Sequence, residues 1–239
     1  MYQEKQNIIS LIPAKGNSTK LKKKNLLKLN GLTLFEIAII ASKKTKKIKE
    51  TYISSDLNKI INISKKYNIK CIKRKKSLAS SKTLASEVIL NFIKNYKKEN
   101  KNLKKNTIIL YLQPTSPFRN HHHLNKALNI FLKKKPSILI SVRESENFYK
   151  SLKYDKTKIT PFFKKNYVNL NRQELPKVLI PNGAIFIFYL HDFYRLKNFN
   201  FSKTEIYRMN NIESLDIDNK EDYITAKKLS LHYLKYKNG

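Results

Sequence analysis

A single cysteine among 239 residues excludes a disulfide framework and any metal site built from several thiolates. Cys71 lies on a short apolar stretch without a C-x-x-C partner, as an inert core thiol would. No apolar run reaches the roughly 18 residues needed to cross a bilayer. The opening MYQEKQNIISLIP has no apolar leader and runs straight into a strand-like segment, so the expected setting is soluble, reducing and cytoplasmic. Acids are scarce as well: 17 Asp and Glu face 50 Lys and Arg, a net charge of +33, and only six of the basic residues are arginine. Proteins that bind nucleic acid usually concentrate Arg and aromatics on one face. Here the lysines occur in almost every polar segment. Lys, Asn and Ile share A/T-rich codons, so a biased genome accounts for the composition as well as a polyanionic partner does. Nucleic acid is the disfavoured partner, and no membrane partner is expected. The charge predicts attraction for small anions and salt-sensitive association.

Apolar residues make up 41% of the chain, enough for a continuous core. Its length accommodates one large domain and an appendage. Apolar runs and amphipathic stretches alternate without repeats. Strands are expected at Ile8–Pro13, 52–55, 69–72, 107–112, 137–142, 184–188 and 205–209. Helices are expected at 57–67, 86–96, 123–132 and 221–236, with another beginning after Thr33. There Glu36 follows at the capping-box spacing. This alternation predicts an α/β fold, a Rossmann-like open and mostly parallel sheet with helices on both faces. Between residues 143 and 180 the pattern dissolves into mixed polar and aromatic residues, as in an insertion. Ligands of such sheets sit beyond the carboxyl ends of the strands. The loops at 14–25, 113–119 and 210–220 are therefore the places to search.

Four motifs occupy those places or the return from the insertion. In PAKGNSTKLKKKN, Pro13 to Asn25, Gly16 permits close backbone approach, Ser18 offers a hydroxyl, and Lys15, Lys20 and Lys24 offer cations. That suits a triphosphate, although no Walker A spacing is present and a lysine-rich surface loop would read alike. LQPTSPFR, residues 112–119, stiffens the end of a strand with prolines and fixes the amide of Gln113. Its plainer role is a rigid connection ending in an N-cap at Asn120. In LDID, residues 215–218, carboxylates two residues apart on extended backbone point the same way and can share a hard cation. Helix capping would explain Asp218 and leave Asp216 unexplained. In NRQELPKVLIPNGAIFIF, residues 171–188, the fork of Arg172 can clamp a carboxylate or phosphate, or make a surface ion pair. His121, His122 and His123 look like a metal tract, but consecutive side chains at a helix start diverge.

Together, QPTSPFR, RQELP, PNGAIFIF and LDID, in this order, resemble the acylneuraminate cytidylyltransferases, the CMP-sialic acid synthetases, from about residue 7 to 234. The resemblance implies a single nucleotidyltransferase domain over 1–239 with an inserted dimerisation segment at about 143–180, and a homodimer. It implies that CTP and a nonulosonic, nine-carbon acid sugar give a CMP-sugar and pyrophosphate, with Mg²⁺, or Mn²⁺ in its place. Lys15, Ser18, Lys24 and Asn25 then hold the nucleotide. Asp216 and Asp218 bind the metal and, with Lys24, form the catalytic set. Gln113, Lys150 and Arg172 approach the sugar or its anionic groups, and Phe186, Phe199 and Phe201 fall near the acyl pocket. The alternatives are the same activation of legionaminic, pseudaminic or an eight-carbon 2-keto acid sugar, a relative that binds CTP without turnover, or, in another class, a basic nucleic-acid-binding protein.

Overall fold

The computed structural model describes residues 6–16, 18, 20–80, 82–100, 106–145 and 148–233. Strand β1 (Ile8–Pro13) is an unbroken apolar run apart from Ser10, as a strand covered on both faces requires. Ile8 and Ile12 face one layer, while Ile9 and Leu11 face the other. The chain then makes one 3-10 turn at Lys24–Leu26 and a small hairpin, β2 (Lys28–Leu29) with β3 (Leu32–Thr33), before α1 (Leu34–Lys43). Thr33 and Glu36 form the expected capping box at its start.

The elements continue as β4 (Glu50–Ser55), α2 (Asn58–Lys66), β5 (Lys70–Lys73), α3 (Ala85–Glu99), β6 (Ile108–Tyr111), α4 (His121–Lys134) and β7 (Ile138–Ser145). A separate hairpin follows, β8 (Leu152–Asp155) with β9 (Lys158–Pro161). The last elements are β10 (Val178–Tyr189), α5 (Leu190–Leu196), β11 (Thr204–Arg208) and α6 (Lys220–Tyr233). Seven strands form one sheet in the order β11-β7-β10-β6-β1-β4-β5. All pairs are parallel except those of β10, which runs antiparallel to both β6 and β7.

One face is covered by α1, α2 and α4 through Phe35, Ile39, Ile60, Leu124, Leu128 and Phe131. The other is covered by α3 and α5 through Ile89, Phe92, Ile93 and Phe193. Helix α6 packs outside this sandwich, where Ala226 joins Leu29, Phe118 and Ile217. From β1 the chain builds outward to β4 and β5, then returns by α3 on the opposite face to lay β6 on the other side of β1. The carboxyl ends of β1 and β6 are therefore a switch point, where an open α/β sheet leaves a crevice.

Two readings of the sequence need adjustment. The short strand at 184–188 is the end of the twelve-residue β10. The excursion at 143–180 is narrower, because Arg143–Ser145 pair with Val178–Ile180 and extend the main sheet. Between them, two 3-10 turns and the bend after the hairpin carry Phe148, Tyr149, Phe163 and Tyr167, whose rings pack edge to face or tilted at 5.0–6.1 Å.

Candidate active site

The loop after β1 is tied down at both ends. The Gly16 amide donates to Asp56 Oδ1 at 2.8 Å, and the side chain of Asn25, itself buried, donates to the Lys15 carbonyl at 2.8 Å. Gly16 is needed for this approach, because a Cβ there would lie 2.9 Å from Leu57 Cβ. Strand β10 is broken between Pro181 and Phe186, and the irregularity turns its backbone toward the loop after β6. Asn182 holds the bulge: its Oδ1 accepts from the Ala184 amide at 3.2 Å and from Ser141 Oγ at 2.5 Å. Its Nδ2 donates to Ser214 Oγ at 2.8 Å. The PNGAIFIF motif is thus fastened to the segment carrying LDID. The Ile217 amide donates to the Thr115 carbonyl at 2.9 Å, which joins LDID to QPTSP.

These ties surround a cavity of about 380 Å³ at the switch point, lined among others by Lys15, Lys24, Asn25, Gln113, Asp216 and Asp218. A second cavity, about 610 Å³, lies against the bulge of β10 and is lined by Arg143, Asn182, Gly183, Phe186, Asp216 and Asp222 among others. Asp216 lines both. Ile217 between the two aspartates is fully buried, as alternation on extended backbone demands. Helix capping is not Asp218's duty. Asn219 Oδ1 accepts from the Asp222 amide at 2.9 Å, and Asp222 Oδ2 accepts from the Asp218 and Asn219 amides. The Asp218 carboxylate instead accepts from Lys24 Nζ at 2.7 Å.

Burial pushes the Asp216 carboxyl above its ordinary range, and the charge of Asp218 adds to this, while the Thr115 side chain and Lys24 oppose it. Asp216 Oδ1 is buried without a hydrogen-bond partner. A buried carboxylate oxygen with no donor, beside a second carboxylate, has the hard-oxygen character that Mg²⁺ takes up, with substrate phosphates completing the shell. The residues present fit such an ion. Among the described residues no group of three or more His, Cys, Asp or Glu converges as a metal site. His123 is buried within the fold, accepting from the Asn120 amide at Nδ1 and lying 3.1 Å from Glu213 at Nε2. Asn120 caps α4 as expected.

The other expected site residues are dispersed. Ser18 is half-buried in the loop and does not line either cavity. Lys150, on the turn Phe148–Lys150, and Arg172, on the turn Arg172–Glu174, belong to the insertion and line neither cavity. Phe186 lines the second cavity, with Phe199 stacked behind it at 5.3 Å. Phe199 also packs on Phe188 and Phe193 in the core, and Phe201 lies beyond it, largely exposed.

Three arginines around the site were not singled out from sequence, and one of them, Arg143 toward the end of β7, lines the second cavity. Arg74, after β5, is buried in the wall of the first cavity. Its Nε and Nη2 donate to Ser54 Oγ and the Ser54 carbonyl at 3.2 and 3.0 Å. Arg119, in QPTSPFR, is buried and donates from Nη1 to the carbonyls of Gln113 and Ala184 at 2.9 and 3.1 Å. Burial pulls its pKa down to about 10. The available signal was their rarity in a chain that otherwise uses lysine.

An open α/β sheet with a cationic crevice at its switch point and a carboxylate pair at the rim defines a nucleotide-handling protein. The chain belongs to the cytidylyltransferase family, whose profile matches residues 9–238. It is 28% identical over 226 residues to an N-acylneuraminate cytidylyltransferase of Streptococcus agalactiae, covering 90% of this chain and 51% of the relative. The chain thus spans about half the length of that protein. It is 26% identical to a CMP-N,N'-diacetyllegionaminic acid synthase of Legionella pneumophila, covering 93% of this chain and 95% of the relative. In fold it is similar to a solved CMP:2-keto-3-deoxy-manno-octonic acid synthetase complexed with CTP, with a TM-score of 0.68 at 10% identity over 94% of this chain and 98% of that one.

Proposed function

We propose that this protein joins CTP to a nonulosonic acid, a nine-carbon 2-keto acid sugar, releasing pyrophosphate and a CMP-sugar. The observation that carries the proposal is the position of Asp216, shared by a cation-lined cavity and a second cavity. The nucleotide occupies the first, with its phosphates toward Lys15 and Lys24 and its pyrimidine toward Arg74 and the start of α3. The sugar occupies the second, beside Gly183, Arg143 and Phe186. The anomeric hydroxyl gives its proton to one of the two aspartate carboxylates while its oxygen bonds to the α-phosphorus, and the bond from that phosphorus to the bridging oxygen breaks as pyrophosphate leaves.

Lys15 and the loop fastened by Asp56 and Asn25 hold the triphosphate in line, and Gln113, which lines the first cavity with its Oε1 against Gly183 of the second, fixes the sugar at the boundary between them. Positioning and charge neutralisation supply most of the rate in such displacements. Asp216 and Asp218 would hold Mg²⁺, or Mn²⁺ in its place, which supplies neutralisation of the developing charge at the α-phosphate. The insertion serves to pair two subunits and bring Lys150, and with it Arg172, to the partner's substrates. The reaction belongs to the cytoplasm, and no helix among the described residues is long and apolar enough to cross a membrane.

Pyrophosphate release with CTP and a panel of nonulosonic and eight-carbon acid sugars tests this. CTP with at least one sugar should turn over well above background, and ATP or GTP far more slowly, as membership of the cytidylyltransferase family implies. Release with no member of the panel, or equal turnover with ATP, would refute the proposal.

A further inference from the structure

Lys24 stands between two demands that it cannot meet at once. Its Nζ lies 2.7 Å from Asp218 Oδ1, and the lysine side chain is only 15% exposed although the carboxylate is 58% exposed. The base of Lys24 is fixed: it opens the 3-10 turn Lys24–Leu26, after Lys23 in the left-handed region at φ 53° and before buried Asn25. Asp218, relieved of helix capping by Asn219 and Asp222, directs its carboxylate to this ammonium. The same ammonium lines the cavity proposed for the triphosphate.

We propose that Lys24 is an exchangeable counter-cation: it holds Asp218 until nucleotide phosphates draw it away, and only then is Asp218 released to a divalent cation. This rests on the reading of Asp216 and Asp218 as the cation site. Two positive charges on one exposed carboxylate repel each other, so an ion that binds alone must either displace the lysine from Oδ1 or bear that repulsion. An anion that attracts Lys24 lightens that cost, and the coupling is reciprocal. Nucleotide and metal then load together, which guards the carboxylate pair against free cations. The device needs no moving domain, because one side chain changes partner within one cavity.

The test measures Mn²⁺ binding to the nucleotide-free protein by electron paramagnetic resonance, for wild type, K24M, K24Q, K24R and D216N, with circular dichroism to establish that each variant is folded. An exposed ion pair opposes its competitor by up to about fivefold, and repulsion of a doubly charged ion adds to this. K24M and K24Q should therefore bind Mn²⁺ about fivefold more tightly than wild type, while K24R, which keeps the charge, stays near it. A second measurement follows CTP binding in EDTA. Asp218→Asn should tighten it more in the wild-type background than in K24M, because only the former has a lysine to release. Equal or weaker Mn²⁺ binding by both K24M and K24Q overturns the exchange. If D216N nevertheless abolishes Mn²⁺ binding in that case, the carboxylate site stands without it. Equal gains from Asp218→Asn in the two backgrounds overturn the exchange as well.

Discussion

Gly183 shows how narrowly single residues set this site. Its φ of +74° lies in the left-handed region, and a Cβ there would meet Gln113 Oε1 at 2.6 Å and approach Asp216 Oδ2 at 3.9 Å. Gly183→Ala should cost about 1–2 kcal/mol for the backbone alone, measured by urea denaturation. Because Gly183 lines the cavity proposed for the sugar, crowding there and displacement of the Gln113 amide should raise the KM for the sugar by about tenfold, with a smaller effect on CTP binding, on the rule that misplaced positioning groups cost rate steeply. An unchanged sugar KM would separate Gln113 from the sugar. The aspartates behave differently. Asp216→Asn and Asp218→Asn should each lower turnover by about two orders of magnitude or more, since neutralising charge at the transition state is worth several kcal/mol. Both variants should fold, because each removes one of two neighbouring like charges. A chelator should abolish wild-type activity, and Mg²⁺ or Mn²⁺ should restore it. Near-normal turnover by Asp216→Asn would remove the aspartates from the mechanism. Lys15, Lys24, Asn25, Gln113, Asp216 and Asp218 were legible because each sits in a loop at a strand end. Arg74 was not, because what holds it in the wall is Ser54, twenty residues earlier on another strand.

At the scale of elements, the α1 capping box gives a pH-dependent prediction. Burial of the Glu36 carboxylate works to raise its pKa. The bonds from the Thr33 side chain and backbone, the Tyr67 hydroxyl and the charge of Lys28 outweigh this and hold it below the ordinary value. A carboxyl whose folded pKa is depressed contributes stability above its unfolded pKa and loses it as pH falls through the folded one. Glu36→Ala should therefore cost about 1 kcal/mol at neutral pH, and the gap to wild type should shrink below about pH 4. A gap that persists in acid would assign Glu36 a packing role instead. The capping box was readable as a four-residue pattern, and the buried strands as apolar runs. The direction of β10 was not, since alternation and composition carry no sense of chain direction. Its reversal follows from the long excursion after β7, which lets the chain re-enter the sheet from the opposite end. The two-residue strands β2 and β3 are too short to show a period, and the seven-residue α5 follows β10 without a polar break.

For the whole molecule, a charge of +33 disfavours self-association unless a local apolar surface offsets it. The β8–β9 hairpin offers one: Tyr154 and Ile159 are 72% and 65% exposed, with Leu152 and Phe162 alongside. A contiguous apolar patch of this kind marks an interaction surface, and the aromatic cluster at its base gives it a firm footing. A two-fold dimer through this hairpin is the arrangement in which Lys150, which lines neither of the two cavities described above, could serve the partner's site. Light scattering should report twice the 28.2 kDa chain mass. Ile159→Asp should yield a folded monomer with little activity, because the hairpin lies outside the seven-stranded sheet. Subunit exchange decides the matter more sharply. Lys150→Ala and Asp216→Asn homodimers should each be impaired. If Lys150 acts across the interface, a mixed dimer regains one site with both residues intact. Random exchange at equal concentrations makes half the dimers mixed, so activity should recover to about a quarter of wild type. If Lys150 acts within its own chain, each site of the mixed dimer carries one lesion and nothing is recovered. A fully active monomer, or mixing without recovery, would exclude the shared site.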